Sequence, residues 1–181
     1  MTHLRFLFAL MLVFCPGSTR AEMVPVIALT EEGSAWRVHV EATFAAQPRQ
    51  IWSVLTDCGR ATAFVPHLAS CRIIEKDQAA LWDVRENIAN PPFLPRIRTI
   101  VRSEYQSPRL FTYKLVSGDM RRSEGSWTLV PKAGGTQVTY LALIEPALPA
   151  PGFLVSSAIK ADLPEMFRRL NDLSLAQAQR P

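Results

Sequence analysis

Three cysteines, three histidines and a thin scatter of carboxylates are the side chains here that could do covalent, metal or acid–base chemistry. His39 and His67 stand far apart and no Cys-x-x-Cys spacing occurs, so no metal site is expected. A serine hydrolase would need a Gly-x-Ser-x-Gly elbow, which the sequence lacks. His67, directly after Pro66, is the one plausible general base, but no nucleophile accompanies it, and no catalytic residue is assigned. Glu86, Glu104 and Glu124 lie on separate segments and could approach only across a sheet. Gly134-Gly135 reads as a hairpin turn and not as a phosphate cradle, so no cofactor is expected either.

Charge narrows the partners. The 181 residues carry a net charge of +4, with basic residues single or in pairs such as Arg121-Arg122 and Arg168-Arg169. No basic run could track a phosphate backbone, so nucleic acid is not an expected partner. Residues 1–21 combine Arg5, an apolar stretch Phe6 to Cys15, a Pro16-Gly17 break and a small-x-small site ending at Ala21. That pattern predicts a signal peptide cleaved after Ala21 and a periplasmic protein, with an uncleaved N-terminal membrane anchor as the alternative. Cleavage would remove Arg5 and Arg20 and lower the net charge to +2, too small an excess to drive recognition. Cys58 and Cys71 would remain, as a disulfide in an oxidising compartment or as two buried thiols.

The elements that must position these groups follow from periodicity. Ser34 to Ala45 alternates Trp36, Val38, Val40, Ala42 and Phe44 against Arg37, His39, Glu41 and Thr43, which predicts a half-buried strand. Pro48 opens a short helix through Leu55, stopped by Gly59, and a second short turn ends at Pro66. From Cys71 to Glu145 the text is strand and turn, with breaks at Lys76-Asp77, Ser107-Pro108, Gly118-Asp119 and Gly134-Gly135, the signature of an antiparallel meander. After Pro151 an apolar stripe of Ile159, Leu163, Met166, Phe167, Leu170 and Leu173 predicts a long terminal helix. Pro164, with Asp162 and Glu165 spaced as a capping box, predicts a kink or restart near Asp162. The fold class is α+β, with residues 22–181 as one domain in which about seven antiparallel strands curl around the last helix and two short helices follow the first strand.

This order of elements, with Phe64-Val65-Pro66, Ser70 to Glu75 and above all Val116-Ser117-Gly118-Asp119-Met120-Arg121-Arg122-Ser123-Glu124-Gly125-Ser126-Trp127, resembles the START-like helix-grip superfamily. The nearest resemblance is to its polyketide cyclase/dehydrase and coenzyme Q-binding branch. It spans roughly Ala35 to Ala176, and departs from the common pattern at the Cys58/Cys71 pair and the link Asn90 to Pro95. The resemblance implies a cavity between sheet and terminal helix that holds a hydrophobic small molecule. Residues from strands crossing the concave middle and from the helix would line it: Trp82, Val84, Val101, Tyr113, Trp127, Ile159, Leu163, Met166 and Phe167. Arg122 and Glu124 would orient a polar group, or else form a surface ion pair. Phe93 and Leu94 would touch a membrane or gate the cavity, or else pack on their own domain. Three functions stay open: a carrier of a lipid or quinone-like molecule, a cyclase or aromatase, and an interaction scaffold with a filled interior.

Overall fold

The computed structural model describes residues 23–92, 94–147 and 151–178; the predicted signal segment 1–21 and Phe93 lie outside them. Eight strands form one sheet: β1 (Val26–Glu32), β2 (Ala35–Phe44), β3 (Leu68–Lys76), β4 (Trp82–Ala89), β5 (Ile97–Gln106), β6 (Leu110–Gly118), β7 (Met120–Lys132) and β8 (Gly135–Pro146). Between β2 and β3 lie helix α1 (Pro48–Leu55), a 3-10 turn (Cys58–Arg60) and helix α2 (Ala61–Phe64), and helix α3 (Gly152–Ala178) closes the chain. The strand order is β1-β2-β8-β7-β6-β5-β4-β3, every neighbour antiparallel. Strands β3 to β8 are the predicted meander. The α1–α2 excursion carries the chain from β2 to the opposite edge, so β2 pairs with β8 and not with β3.

The count of about seven strands is corrected by β1, which the sequence reading passes over. This edge strand half-buries only Ile27 and Leu29 while Val26 is exposed, too little contrast for a period-two signal, and Gly33 (φ 63°) turns it into β2. The two short helices therefore follow the second strand. The β2 alternation is realised as read: Trp36, Val38, Val40, Ala42 and Phe44 are buried and the intervening residues are exposed. A second correction concerns α3, which runs through Pro164 as one 27-residue helix without the restart expected near Asp162. Tertiary burial of Leu163, Met166, Phe167 and Leu170 on both sides of the proline offsets its missing N–H. Asp162 serves another purpose, its carboxylate lying 3.2 Å from His67 Nε2 in the turn before β3.

The core joins α3 to the concave sheet. Phe167 is fully buried, edge-on to Phe44 at 6.0 Å and stacked on Trp127 at 5.3 Å, while Trp127 stacks on Tyr140 at 4.3 Å. Burying such a ring is worth about 1.5–3 kcal/mol. These contacts hold the helix along the centre of the sheet. The free end of the concave surface lies where β2, β5 and β7 begin and β4, β6 and β8 end.

Candidate functional site

A cavity of about 390 Å³ opens between the concave sheet and the helices. Its sheet side carries Arg85, Asn87 and Ala89 from β4, Ile97, Thr99, Val101 and Ser103 from β5, Phe111 and Tyr113 from β6, Met120, Ser123 and Trp127 from β7, and Tyr140 and Ile144 from β8. Leu55, Ala61, Phe64, Val65 and Met166 face them from the other side, and Leu68 joins the sheet side at the start of β3. Strand alternation explains the set, since residues of one parity on each strand point to one face. Gly125 shares that inward parity between Ser123 and Trp127. A Cβ there would meet Leu141 O at 2.4 Å and the Tyr113 hydroxyl at 2.8 Å, so the glycine leaves room for the Tyr113 ring.

Of the predicted lining residues, Val101, Tyr113, Trp127 and Met166 are on the cavity wall. Leu163 and Phe167 lie in the packed core, with Ile159 half-buried against it. Trp82 and Val84 fall on the opposite face of β4, where Arg102 stacks over the Trp82 ring at 4.1 Å. Arg122 and Glu124 also point away: Arg122 lies 4.0 Å from Glu145 and Glu124 3.9 Å from Lys114. Arg122, Lys114 and Glu124 are exposed and Glu145 is mostly covered, and at these separations the contacts contribute little. Glu86, Glu104 and Glu124 do not converge; Glu86 binds Arg72 and Arg98, and Glu104 binds Arg102. Cys58 and Cys71 are joined in a disulfide, with Cα atoms 5.4 Å apart, that ties the 3-10 turn to β3. Leu94 is exposed in the β4–β5 connection.

The sequence reading misses the polar side of the cavity. Asp83 and Arg85 are each only 5% exposed, on the inward phase of β4. Arg85 donates from Nε to Asp83 Oδ1 at 2.9 Å and from Nη2 to Asp83 Oδ2 at 2.5 Å, and also reaches the Thr56 carbonyl at 3.2 Å. The Tyr105 hydroxyl donates to Asp83 Oδ2 at 2.6 Å and accepts from Arg85 Nη2. Burial pulls the Arg85 pKa down, but the bonds to Asp83 and the neighbouring negative charge outweigh it and leave it raised. Burial likewise pushes the Tyr105 phenol far above its ordinary range. Across the cavity Tyr113 and Tyr140 share a 2.8 Å hydroxyl–hydroxyl bond, and burial raises both their pKa values.

Two donors on the lining remain uncommitted. Among the described residues Arg85 Nη1 has no hydrogen-bond partner, and neither does the fully buried Ser103 Oγ. Ser103 lies next to the Tyr105 phenol, near enough for its hydroxyl to pull that phenol's pKa down slightly against the larger effect of burial, but the geometry of a full hydrogen bond is not reached and the phenol is held by Asp83 and Arg85. A buried polar atom without a partner is uncommon and costly, which applies to Ser103 Oγ; together with the unbonded Arg85 Nη1 it offers this side of the cavity to an acceptor atom. An apolar, aromatic chamber with one polar side can hold an amphipathic molecule in a single orientation.

Comparison with known proteins agrees with this architecture. The profile of the family described as polyketide cyclase / dehydrase and lipid transport matches residues 44–171, and the chain belongs to that family. Similar solved structures include TTHA0849 from Thermus thermophilus, with 19% identity, TM-score 0.69, and coverage of 80% of this chain and 99% of that one. The STAR-related lipid transfer protein fragment from Xanthomonas axonopodis has 15% identity, TM-score 0.65, and coverage of 81% and 98%. The Zhui aromatase/cyclase from Streptomyces sp. R1128 has 17% identity, TM-score 0.62, and coverage of 81% and 94%. At these identities the likeness establishes the START-type helix-grip fold. No curated protein matches the sequence.

Proposed function

We propose that this member of the polyketide cyclase and lipid transport family is an exported, periplasmic carrier of a hydrophobic small molecule, a lipid or quinone-like compound bearing one acceptor-rich polar end. The apolar body lies against Phe111, Tyr113, Trp127 and Met166, and the polar end meets Arg85 and Ser103. The observation that carries this reading is the buried Ser103 Oγ left without a hydrogen-bond partner, with Arg85 Nη1 also unbonded, on a lining that is mainly apolar and aromatic with Asn87, Thr99 and Ser123 among it. Apolar burial at about 25 cal/mol per Å² supplies the affinity and the donors supply the orientation. The cavity volume of about 390 Å³ falls within the ~300–1,000 Å³ of ordinary ligand sites. Likeness to a STAR-related lipid transfer protein favours transport. Likeness to aromatase/cyclases keeps a cyclase as the second reading. The ionisable groups on the lining, Arg85, Tyr113 and Tyr140, all have raised pKa values and hold their protons firmly at neutral pH, which suits holding a ligand better than passing protons. Export is supported by the pattern of residues 1–21 and by the disulfide, which persists in oxidising compartments.

The rim supports delivery by contact with a lipid bilayer. Helix α3 starts there, and in residues 151–164 only Lys160 and Asp162 are charged. Phe153 is 68% exposed and Leu154 49%, and Leu94 projects from a connection at the same end of the sheet. The later half of α3 instead carries the ion pairs Glu165–Arg168, Glu165–Arg169 and Arg168–Asp172. A mostly apolar stretch with one cation and one anion, both toward its later half, suits an interfacial position. Isothermal titration with palmitate and methyl palmitate tests the carrier reading: the acid binds, the ester binds at least about tenfold more weakly for loss of a charge-assisted bond, and Arg85→Met removes the difference. Failure of both compounds and of ubiquinone analogues to bind would overturn it.

A further inference from the structure

Four lining residues, Ala61, Phe64, Val65 and Leu68, come from one short piece of chain, the excursion between Cys58 and Cys71. Resting on the carrier reading, we infer that this piece is the door of the cavity and that the Cys58–Cys71 disulfide holds it shut, so that the thiol–disulfide state sets how fast ligand exchanges.

From Cys58 to Pro66 the backbone of the excursion is weakly anchored, whereas from Leu68 onward it is paired with β4 as the start of β3. The bonds Arg60 N to Asp57 O, Val65 N to Ala61 O and Leu68 N to Val65 O stay within the loop or at its root. The first backbone bond from the excursion to the sheet after α2 is Asn90 N to His67 O at 2.8 Å. What holds the four-residue helix α2 in place is side chains: buried Ala61 and Phe64, Arg60 Nη1 donating to Gln177 at 2.7 Å, and His67 Nε2 at 3.2 Å from Asp162. The last two contacts both end on α3, the opposite jamb of the cavity. His67 sits in the left-handed region at φ 59°, which an L-residue adopts at a cost and which a rearranged turn would relieve. A segment with few backbone bonds to its surroundings opens locally before the sheet does. The disulfide closes this loop covalently at its two roots, one in the 3-10 turn and one in β3.

Cys58 is buried and Cys71 is half-buried, which leaves Cys71 the more open to attack. A thiolate of a dithiol reductant attacks its sulfur, breaking the bond to Cys58 and forming a mixed disulfide. The second thiol of the reductant then displaces Cys71. Two electrons and two protons pass to the protein, giving two thiols, and the reductant leaves as its own disulfide. Without the cross-link α2 is held by Ala61, Phe64, Arg60 and His67.

The test uses 11-(dansylamino)undecanoic acid as probe. Its dissociation is followed by stopped flow from the oxidised protein, from protein reduced with dithiothreitol and from the variant C58S/C71S, and amide exchange is measured in each. Dissociation from the reduced protein and the double variant is expected to be at least about tenfold faster, with exchange accelerated over 61–68 and unchanged in β2 and β8. His67→Ala in the oxidised protein is expected to shift both readouts the same way by less. Rates and exchange over 61–68 that agree within about twofold across all forms would overturn the door. If the probe binds to none of them, the carrier reading fails, while exchange over 61–68 still decides whether the disulfide holds that segment.

Discussion

Removing the Arg85 side chain while keeping Asp83, as in Arg85→Met, strands a carboxylate that is 5% exposed and takes a partner from the Tyr105 hydroxyl and the Thr56 carbonyl. Breaking one side of a buried pair costs about 3–5 kcal/mol, a large part of the ~5–15 kcal/mol that stabilises a domain. With a urea slope of about 2 kcal/mol per M, the unfolding midpoint should fall by roughly 2 M. Replacing the whole group with apolar residues in Asp83→Leu/Arg85→Met/Tyr105→Phe should restore stability to within about 1 kcal/mol of the original or raise it, because no charge is then left unpaired. If the group is kept for its ligand, the triple variant should be stable yet indifferent to whether palmitate or its methyl ester is offered. Equilibrium urea unfolding and calorimetry on the parent protein and both variants decide the matter. A loss under about 1 kcal/mol in Arg85→Met, or a triple variant that still prefers the acid, would refute the reasoning.

Gly125→Ala would push a methyl group against Leu141 O and the Tyr113 hydroxyl, so we expect a loss of about 1–3 kcal/mol by urea unfolding and weaker probe binding; an unchanged midpoint would show that both the β8 backbone at Leu141 and the Tyr113 ring give way freely. Glu165 is held down to about 2 by bonds from Arg168 and Arg169. Its folded pKa is depressed from 4.5, so its stabilisation is full above pH 4.5 and is lost as the pH falls toward about 2. Glu165→Gln should flatten that part of the stability–pH curve, and an unaltered acid limb would exclude the contribution. Phe153→Ser/Leu154→Ser should reduce co-sedimentation with phosphatidylglycerol-containing vesicles while palmitate affinity stays within about twofold, and equal co-sedimentation would remove α3 from any membrane contact.

The outline of the fold was legible because its strongest signals are periodic. Val38, Val40, Ala42 and Phe44 on β2 state their own facing, and the Leu163 to Leu170 stripe states that of α3. The lining was harder to read because β4 buries its polar phase. Choosing Trp82 and Val84 follows the apolar residues, whereas Asp83 and Arg85 go inside because each satisfies the other. In β7 the information was present as parity: Trp127 faces inward, so Ser123 and Gly125 must too, and Arg122 and Glu124 cannot. Ser103 could have been placed by the same argument from Val101. The Tyr113–Tyr140 bond joins residues on β6 and β8 across intervening β7, a distance no local pattern encodes.

The central claim is that the cavity holds an amphipathic molecule, and native mass spectrometry of the oxidised protein purified from its own cells, followed by solvent extraction and identification of what is released, addresses it most directly. The account predicts a stoichiometric adduct of one small molecule with an apolar body and a carboxylate or carbonyl at one end, absent from Arg85→Met/Trp127→Ala. A protein that is empty as isolated, and that takes up neither palmitate nor a ubiquinone analogue afterwards, would contradict it.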